Sequence, residues 1–124
     1  SMPPLRGADG EGPAPLIVLG DRFGAACHNA LVARALGQLE ASGVAAAHNR
    51  PYSGGYVLDR HGAPQSGVHA MQIEVCRATY LDRRLAEPGA GLAGMAATLA
   101  ALVRELGAET ALLGGDDSLL QAAE

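Results

Sequence analysis

An unbroken apolar run at residues 16–19 ends at Gly20, near the start of the chain. Such a run, bounded by breaking residues, predicts a strand buried on both faces of a sheet. Over residues 27–42, leucine and alanine recur on one helical stripe while the charged residues lie mostly off it, which predicts an amphipathic helix. Gly43 is expected to end this helix, and residues 44–48 are the next predicted strand.

The pattern after the second strand predicts short elements. Residues 56–58 are predicted as a short strand, followed by a polar turn at residues 59–66. Residues 70–75 alternate between apolar and polar side chains, with Gln72 and Glu74 on the polar side. This alternation predicts a half-buried strand.

The last third of the chain predicts one long helix. Large apolar residues recur at helical spacing over residues 89–106, and Gly107 is expected to end the helix. Residues 79–84 are predicted to be a connector with a short helical turn. Residues 108–124 are predicted to be either a further short helix or a frayed tail. Residues 1–15 are rich in proline and glycine and are predicted to be irregular.

Strand–helix–strand followed by strand–helix predicts an α/β fold, with a mixed, mostly parallel sheet flanked by helices. Residues 16–124 are expected to form one unit of it, after the irregular segment 1–15. In such sheets ligands bind beyond the carboxyl ends of the strands. The polar segments 20–24 and 49–56 and the strand end at Glu74 are therefore expected to gather at one site.

Composition narrows the possible functions. The chain has 124 residues, of which 48% are hydrophobic but only 3% aromatic, so aliphatic side chains must fill the core of a single domain. A net charge of −4 without a basic cluster disfavours nucleic-acid binding. No apolar run approaches the ~18 residues of a membrane span, and no signal-peptide pattern is recognisable. Cys27 and Cys76 form no CxxC pair, which predicts buried thiols in a cytoplasmic protein.

Glu74 is the candidate catalytic residue. It stands in an apolar strand, where shielding from water suits a general base. The alternative is a structural carboxylate paired with Arg77 or Arg50. His69 lies five residues earlier in the sequence. An odd separation within one strand puts two side chains on opposite faces, so His69 joins Glu74 only if it precedes the strand proper.

Two loops supply candidate groups for binding an anion. Arg22 follows the first strand and offers a guanidinium fork for an anionic substrate group. The alternative for Arg22 is a salt bridge with Asp21 or with another loop carboxylate. Asn49 and Arg50 follow the second strand and offer an amide and a second cation.

Tyr52 and Tyr56 flank the pair Gly54-Gly55. Their hydroxyls could donate hydrogen bonds to a substrate, although tyrosines beside a glycine pair also serve as ordinary packing. The glycine pair permits a close approach of the backbone to a ligand. The loop lacks the lysine of a phosphate-binding loop, so nucleotide binding is disfavoured, and no histidine pair has metal-ligand spacing.

Residues 19–24, 49–56 and 67–74 form three blocks whose order and spacing resemble the N-formylglutamate amidohydrolase (N-formylglutamate deformylase) family. The resemblance implies a fold like that of zinc carboxypeptidases (phosphorylase/hydrolase-like), incomplete in this chain. It also implies hydrolysis of N-formyl-L-glutamate, or a similar N-acyl amino acid, to formate and L-glutamate in histidine breakdown. Glu74 would then activate a metal-bound water. The implied substrate-binding residues are Arg22, Asn49, Tyr52, Gly55, Tyr56 and His69.

The family carries two further histidine-containing blocks ahead of these three, where the ligands of a divalent metal, zinc by resemblance, are expected. The opening Ser1-Met2-Pro3-Pro4 resembles the tail of the second of those blocks without its histidine. We therefore expect the C-terminal part of an amidohydrolase, inactive alone. An exposed apolar sheet edge is expected to pair with the missing part or with a second copy. The alternatives are a native start at Met2 and a non-catalytic domain that binds a small anion or a partner chain.

Overall fold

The computed structural model describes residues 1–6 and 12–122, with the side chains of residues 1–6 and 12–115. The main elements, in chain order, are β1 (Ile17–Gly20), α1 (Asn29–Ala41), β2 (Ala46–His48), α2 (Tyr56–His61), β3 (Gln72–Val75) and α3 (Leu92–Ala122). Short 3₁₀ turns lie at Pro64–Ser66 and Arg77–Thr79. Parts of the predicted irregular segment 1–15 and of the predicted tail 108–124 fall outside the described residues.

β1 is the central strand of a three-stranded sheet with the order β2-β1-β3. It pairs in parallel with β2, where Val18 is opposite Ala47, and antiparallel with β3, where Val18 is opposite Glu74. All four residues of β1 are buried, as its unbroken apolar run predicts. The predicted mixed sheet with flanking helices is confirmed. Parallel pairing does not dominate among the described strands, however, because β3 runs against β1.

The helices cover one face of this sheet. Ile17 and Leu19 of β1 pack there with Leu39 of α1 and Leu102 of α3, and all four side chains are buried. Ile73 of β3 packs against the same core, as the alternation in its strand predicts. Aliphatic side chains thus supply this core, in agreement with the low aromatic content of the chain.

The opposite face of the sheet, called the open face below, carries the side chains of Val18, Ala47 and Glu74. Paired residues on adjacent strands share a face, so the register of β1 with its two neighbours fixes this assignment. Met2 covers Val18 in a smaller apolar cluster, and Tyr52 packs against its margin. Short chain segments therefore cover part of the open face.

The predicted strand at residues 56–58 is wrong, because these residues begin α2. The carbonyl of Gly55 accepts backbone hydrogen bonds from Leu58 and Asp59 at 3.0 and 3.2 Å, which closes the first helical turn. Leu58 is buried, whereas Tyr56 and Val57 are exposed. A three-residue apolar run does not distinguish a strand from a single helical turn.

α3 continues to Ala122, beyond the predicted stop at Gly107. Gly107 does not take a positive φ, and a glycine inside a helix costs only about 1 kcal/mol relative to alanine. α1, in contrast, ends as predicted, because Gly43 adopts a left-handed φ of 71°. None of the helices in the described ranges is both long and apolar enough to span a bilayer.

Candidate functional site

The loop between β2 and α2 crosses the end of β1 on the open face. A Cβ atom on Gly20 would lie 2.6 Å from the carbonyl carbon of Ser53 and 2.7 Å from the nitrogen of Gly54. Glycine at position 20 is therefore what allows the loop backbone to lie directly on the strand. The Arg22 N–H donates to the carbonyl of Ser53 at 2.9 Å and fixes this contact.

The predicted anion-binding residue Arg22 is held by protein groups. Its Nε lies 2.7 Å from Oδ1 of Asp59 in α2. Its Nη1 donates to the carbonyl of Gly54 at 3.3 Å and to Oγ of Ser53 at 3.5 Å. The structure thus contains a salt bridge with another carboxylate, which is the alternative that the sequence left open. The role of Arg22 in substrate binding stays a prediction.

Asn49 binds Asp21 reciprocally at the ends of the two parallel strands. The Asp21 backbone N–H donates to Asn49 Oδ1 at 3.0 Å, and Asn49 Nδ2 donates to Asp21 Oδ1 at 2.7 Å. Asn49 takes a left-handed φ of 59°, which asparagine tolerates better than most residues. Because both ends of its amide are engaged and the residue is only 6% exposed, a substrate would have to compete with Asp21 for this side chain.

Asp21 and His48 form a pair that the sequence reading did not select. His48 Nε2 lies 2.9 Å from Asp21 Oδ1, the oxygen that Asn49 also contacts. Burial alone would raise the pKa of the Asp21 carboxyl. The hydrogen bonds from Asn49, His48 and the backbone of Gly24 prevail and lower that pKa below 3.8. The ionised carboxylate only accepts, so the contact with Asp21 is a hydrogen bond in the tautomer of His48 that carries a proton on Nε2.

A sequence signal for this pair did exist. Asp21 follows the first strand directly and His48 is the last residue of the second. The carboxyl ends of parallel neighbours meet at one edge of a sheet, so a carboxylate and an imidazole at these positions are brought together.

The two tyrosines of the loop differ in their surroundings. Tyr52 is partly buried against Met2 and Val18 on the open face, in the packing role that the sequence left open. Tyr56 begins α2 and is 76% exposed, so its hydroxyl is available to a ligand. Of the glycine pair, Gly54 takes the positive φ of 93° and Gly55 precedes α2 with an extended φ of −145°.

Glu74 lies on the open face, but not at the strand edge where the loops meet. Because β3 is antiparallel to β1, Gln72 is opposite Gly20, and Glu74 is opposite Val18. The expectation that the carboxyl end of β3 joins the other two strand ends is therefore wrong. Glu74 and the loop that lies over Gly20 are, however, on the same face of the sheet. The role of Glu74 as a base is not tested by this placement.

The Glu74 carboxylate has two close partners among the described residues. Gln72 Nε2 donates to its Oε1 at 2.7 Å, and the amino group of Ser1 lies 2.8 Å from its Oε2. The ion pair is thus formed neither with Arg77 nor with Arg50, the two partners considered from the sequence. The side chain is 19% exposed, so the carboxylate is shielded yet accessible.

His69 is brought to the start of α1. The Ala70 N–H donates to the carbonyl of Ala26 at 2.8 Å and holds this segment there. His69 Nδ1 accepts from the backbone N–H of His28 at 3.3 Å, and the two imidazole rings lie 6.2 Å apart. His69 does precede β3, as its joining Glu74 would require, but its recorded partner is His28. Its predicted role in substrate binding is untested.

A metal ion needs several donor side chains grouped around one point. Residues 1–6 and 12–115 contain no group of three or more His, Cys, Asp or Glu side chains that could hold a metal ion. Cys27 and Cys76 are both buried and unpaired with each other, as predicted. Burial, together with the charge of Asp21, raises the pKa of the Cys27 thiol to about 11, so that this thiol is poorly suited to metal binding or nucleophilic attack.

Known proteins are similar to this chain in sequence and in fold. The N-formylglutamate amidohydrolase family model matches residues 1–81. The N-formylglutamate deformylase of Pseudomonas aeruginosa is 35% identical over 97 residues, which cover 77% of this chain and 36% of that protein. That of Pseudomonas putida is 33% identical over 73 residues, covering 58% of this chain and 27% of that protein.

A solved structure agrees with these sequence matches. The crystal structure of N-formylglutamate amidohydrolase from Ralstonia eutropha JMP134 matches with a TM-score of 0.64 and 30% identity. The match covers 82% of this chain and 34% of the crystallised chain.

The fold and the matched residues place the chain among α/β proteins whose named members are amidohydrolases or deformylases. The chain belongs to the N-formylglutamate amidohydrolase family, which confirms the resemblance of the three sequence blocks. It spans 36% and 27% of the length of the two curated relatives it matches. The likeness to the zinc-carboxypeptidase fold stays a prediction.

Proposed function

We propose that this chain forms part of an enzyme that hydrolyses the amide bond of N-formyl-L-glutamate or a similar N-acyl amino acid. Water adds to the acyl carbon, the carbon–nitrogen bond breaks, and the nitrogen takes up a proton. The products are formate and L-glutamate when the acyl group is formyl. Family membership and the names of the two relatives, both N-formylglutamate deformylases, support the proposal. The place of the reaction in histidine breakdown rests on the family resemblance, and the cytoplasmic location rests on the cysteine usage. Both stay predictions.

One geometric observation supports the proposal most directly. The Ser53–Gly54 backbone lies on Gly20, on the sheet face that also holds Glu74. Gly20 and Val18 are two residues apart on β1, a rise of about 7 Å, and Glu74 is opposite Val18. A small substrate held against the loop backbone therefore comes within reach of the Glu74 carboxylate.

In this proposal Glu74 is the general base. Its carboxylate takes a proton from the attacking water and later returns it to the leaving nitrogen. Gln72, which donates to Glu74 Oε1, fixes the orientation of the carboxylate. The shielded position of Glu74 on the open face supports this role, because exclusion of bulk water strengthens the electrostatics of a site.

The loop residues are proposed to bind the substrate. The exposed hydroxyl of Tyr56 is proposed to contact the substrate directly. Gly55, whose carbonyl already closes the first turn of α2, is proposed to allow the close approach of a ligand that a side chain would hinder. Arg22 and Asn49 contact protein groups, so their contribution is to shape the loop as well as to meet the substrate. Tyr52 and His69 complete the proposed set.

A divalent metal, zinc by family resemblance, is also proposed for the complete enzyme. The described residues offer no cluster of three ligand side chains, so they do not fit the metal site on their own. The ligands are proposed to come from polypeptide outside these residues. The role given to Glu74 here concerns proton transfer by the carboxylate alone.

The test is formate release from N-formyl-L-glutamate, measured for the polypeptide encoded by the complete reading frame and for the 124-residue chain alone. We expect the complete polypeptide to release formate and the 124-residue chain to release none. N-acetyl-L-glutamate, assayed in parallel for acetate, reports on the acyl group.

A different result would favour the alternative function. Saturable binding of N-formyl-L-glutamate by calorimetry, with no acid released from either substrate by either polypeptide, would support a non-catalytic small-anion-binding domain. Formate release by the 124-residue chain alone would contradict the expectation that a further segment is needed.

A further inference from the structure

We propose that Asp21 is the positioning residue of the substrate loop, residues 49–55, and that it acts on this loop through the side chain of Asn49. This inference rests on the proposed function, because it concerns the geometry of the same site. Asp21 has no part in the chemistry assigned to Glu74. It is also distinct from the substrate-binding groups proposed above, since it is only 2% exposed and its carboxylate is engaged by Asn49 and His48.

The Asp21 carboxylate is a buried charge that two adjacent residues at the end of β2 contact. Asn49 Nδ2 donates to its Oδ1 at 2.7 Å, and His48 Nε2 lies 2.9 Å from the same oxygen. The backbone of Gly24, in the loop before α1, also helps to lower the pKa of this carboxyl. Removing a carboxylate from water is costly unless donors replace the lost solvent, so the contacts with Asn49 and His48 offset the burial of Asp21.

The contact with Asn49 is geometrically specific. One hydrogen bond runs from the Asp21 backbone to the Asn49 amide oxygen, and the other runs from the Asn49 amide nitrogen to the Asp21 carboxylate. The Asn49 N–H also donates to the carbonyl of Leu19 at 2.7 Å. Together these bonds fix the position and direction in which the chain leaves β2, in a left-handed backbone conformation.

The fixed end of β2 determines where the loop runs. The chain passes from Asn49 to Ser53, whose carbonyl accepts from the backbone of Arg22. The loop is thus held at its start by Asp21 and at its middle by Arg22, two adjacent residues after β1. Loss of the contact between Asp21 and Asn49 leaves the contact between Arg22 and Ser53 in place. The loop should therefore become displaced or mobile while the domain stays folded.

An exchange of the two side chains separates this role from a general need for a buried charge. Asp21→Asn leaves Asn49 Nδ2 a neutral amide oxygen in place of a charged acceptor, and Asn49→Asp sets two carboxylates against each other. Each change weakens the reciprocal pair, because charge-assisted hydrogen bonds are the stronger ones. The double variant Asp21→Asn/Asn49→Asp restores one donor and one acceptor in the opposite direction. Asn49→Gly tolerates the left-handed backbone and removes only the amide, so it serves as a second single variant should Asp21→Asn not fold.

Two measurements are made on these variants. The first is amide hydrogen exchange of the peptides covering residues 49–58 in the 124-residue chain. The second is KM and kcat for N-formyl-L-glutamate in the complete polypeptide. Leu39→Val, a change in the core behind the sheet, is the control that lowers stability without touching the loop.

We expect the single variants to exchange faster in this segment and the double variant to recover most of the protection. In the complete enzyme a misplaced binding loop should raise KM about tenfold or more, with kcat changed less. Leu39→Val should leave both the exchange of the segment and KM close to wild type. Hydrogen exchange that responds as expected, together with no formate release by any complete polypeptide, wild type included, would support Asp21 as the positioning residue and contradict the proposed function.

The inference is overturned if the folded single variants keep wild-type exchange in the segment. It is also overturned if the double variant exchanges as fast as the single ones. An equally large change of KM in Leu39→Val would show that lowered stability causes the increase in KM, and would contradict the positioning role of Asp21.

Discussion

Arg22 and Asp59 form an ion pair, with the Arg22 Nε 2.7 Å from the Asp59 Oδ1, that joins the loop after β1 to the helix after the substrate loop. The same guanidinium donates to the carbonyl of Gly54. One side chain therefore connects the substrate loop to α2. The sequence does not single out Asp59 as the partner of Arg22. Asp59 is distant in the chain and belongs to a helix that the sequence pattern does not predict.

We predict that this ion pair contributes little to global stability. Both side chains are more than a third exposed, so Asp59→Asn should lower the free energy of unfolding by no more than about 1 kcal/mol. A double-mutant cycle with Arg22→Gln, followed by urea denaturation, gives the coupling energy. A coupling well above about 1 kcal/mol would contradict the description of the pair as solvent-screened.

Gly20→Ala is predicted to displace the substrate loop. The added methyl meets the backbone of Ser53 and Gly54 below 3 Å, and overpacking of this kind costs about 1–3 kcal/mol. We expect the midpoint of urea denaturation to fall and hydrogen exchange in the loop to rise.

Gly37→Ala is the matched control for that change. A Cβ on Gly37 meets nothing within 4 Å, and the residue lies inside α1, where alanine is favoured over glycine by up to about 1 kcal/mol. It should stabilise the protein slightly. Equal destabilisation by both substitutions would show that the close contact at Gly20 is not the cause.

Asp21 should make stability depend on acidity. Its carboxyl pKa is lowered in the fold, because the bonds from Asn49 and His48 outweigh the effect of burial. A lowered folded-state pKa means that the stabilisation is present above the unfolded-state value of 3.8 and is lost as the pH falls through the folded-state pKa. Between about pH 5 and pH 3, Asp21→Asn should therefore lose less unfolding free energy than wild type. A larger loss in the variant would contradict the assignment.

Cys27 is predicted to be unreactive in the native protein. Burial first, and then the charge of Asp21, raise the pKa of its thiol to about 11, and only the thiolate reacts readily. In a Cys76→Ser background, which isolates this thiol, reaction with a chromogenic disulfide at neutral pH should be slow and should accelerate on unfolding in urea. Rapid reaction of the folded protein would show that the site opens to solvent.

Local patterns in the sequence were sufficient for the strands and the first helix. The run before Gly20 gives the central buried strand, and alternation around Ile73 gives the correct face of β3. The glycine at position 43 ends α1 in the left-handed conformation that favours this residue. In each case a single physical preference dominates and no tertiary contact opposes it.

The errors arose where tertiary contacts decide between local alternatives. Residues 56–58 turn helical as Leu58 is buried and Arg22 pairs with Asp59. Gly107 remains helical because one glycine is too weak to end α3. The antiparallel direction of β3 is set by its long-range pairing with β1, and no local pattern records that pairing.

The sequence indicated which segments form the candidate site, but not which groups their side chains contact. Sequence blocks identified the loop containing Asn49 and the strand containing Glu74, and the family match supports those blocks. The engagement of Arg22 and Asn49 by protein groups could not be read from the sequence, since it depends on the parallel register of β1 and β2. The same register brings His48 to Asp21.

The most direct test of the account is the turnover number of Glu74→Gln for N-formyl-L-glutamate in the complete polypeptide, measured by formate release. Glu87→Gln, an exposed glutamate on the turn before α3, is the matched control. If Glu74 is the general base, its substitution should lower kcat by about 10²–10⁴-fold and leave substrate binding largely intact. Glu87→Gln should retain wild-type activity. A Glu74→Gln enzyme that releases formate at the rate of the control would contradict the central claim.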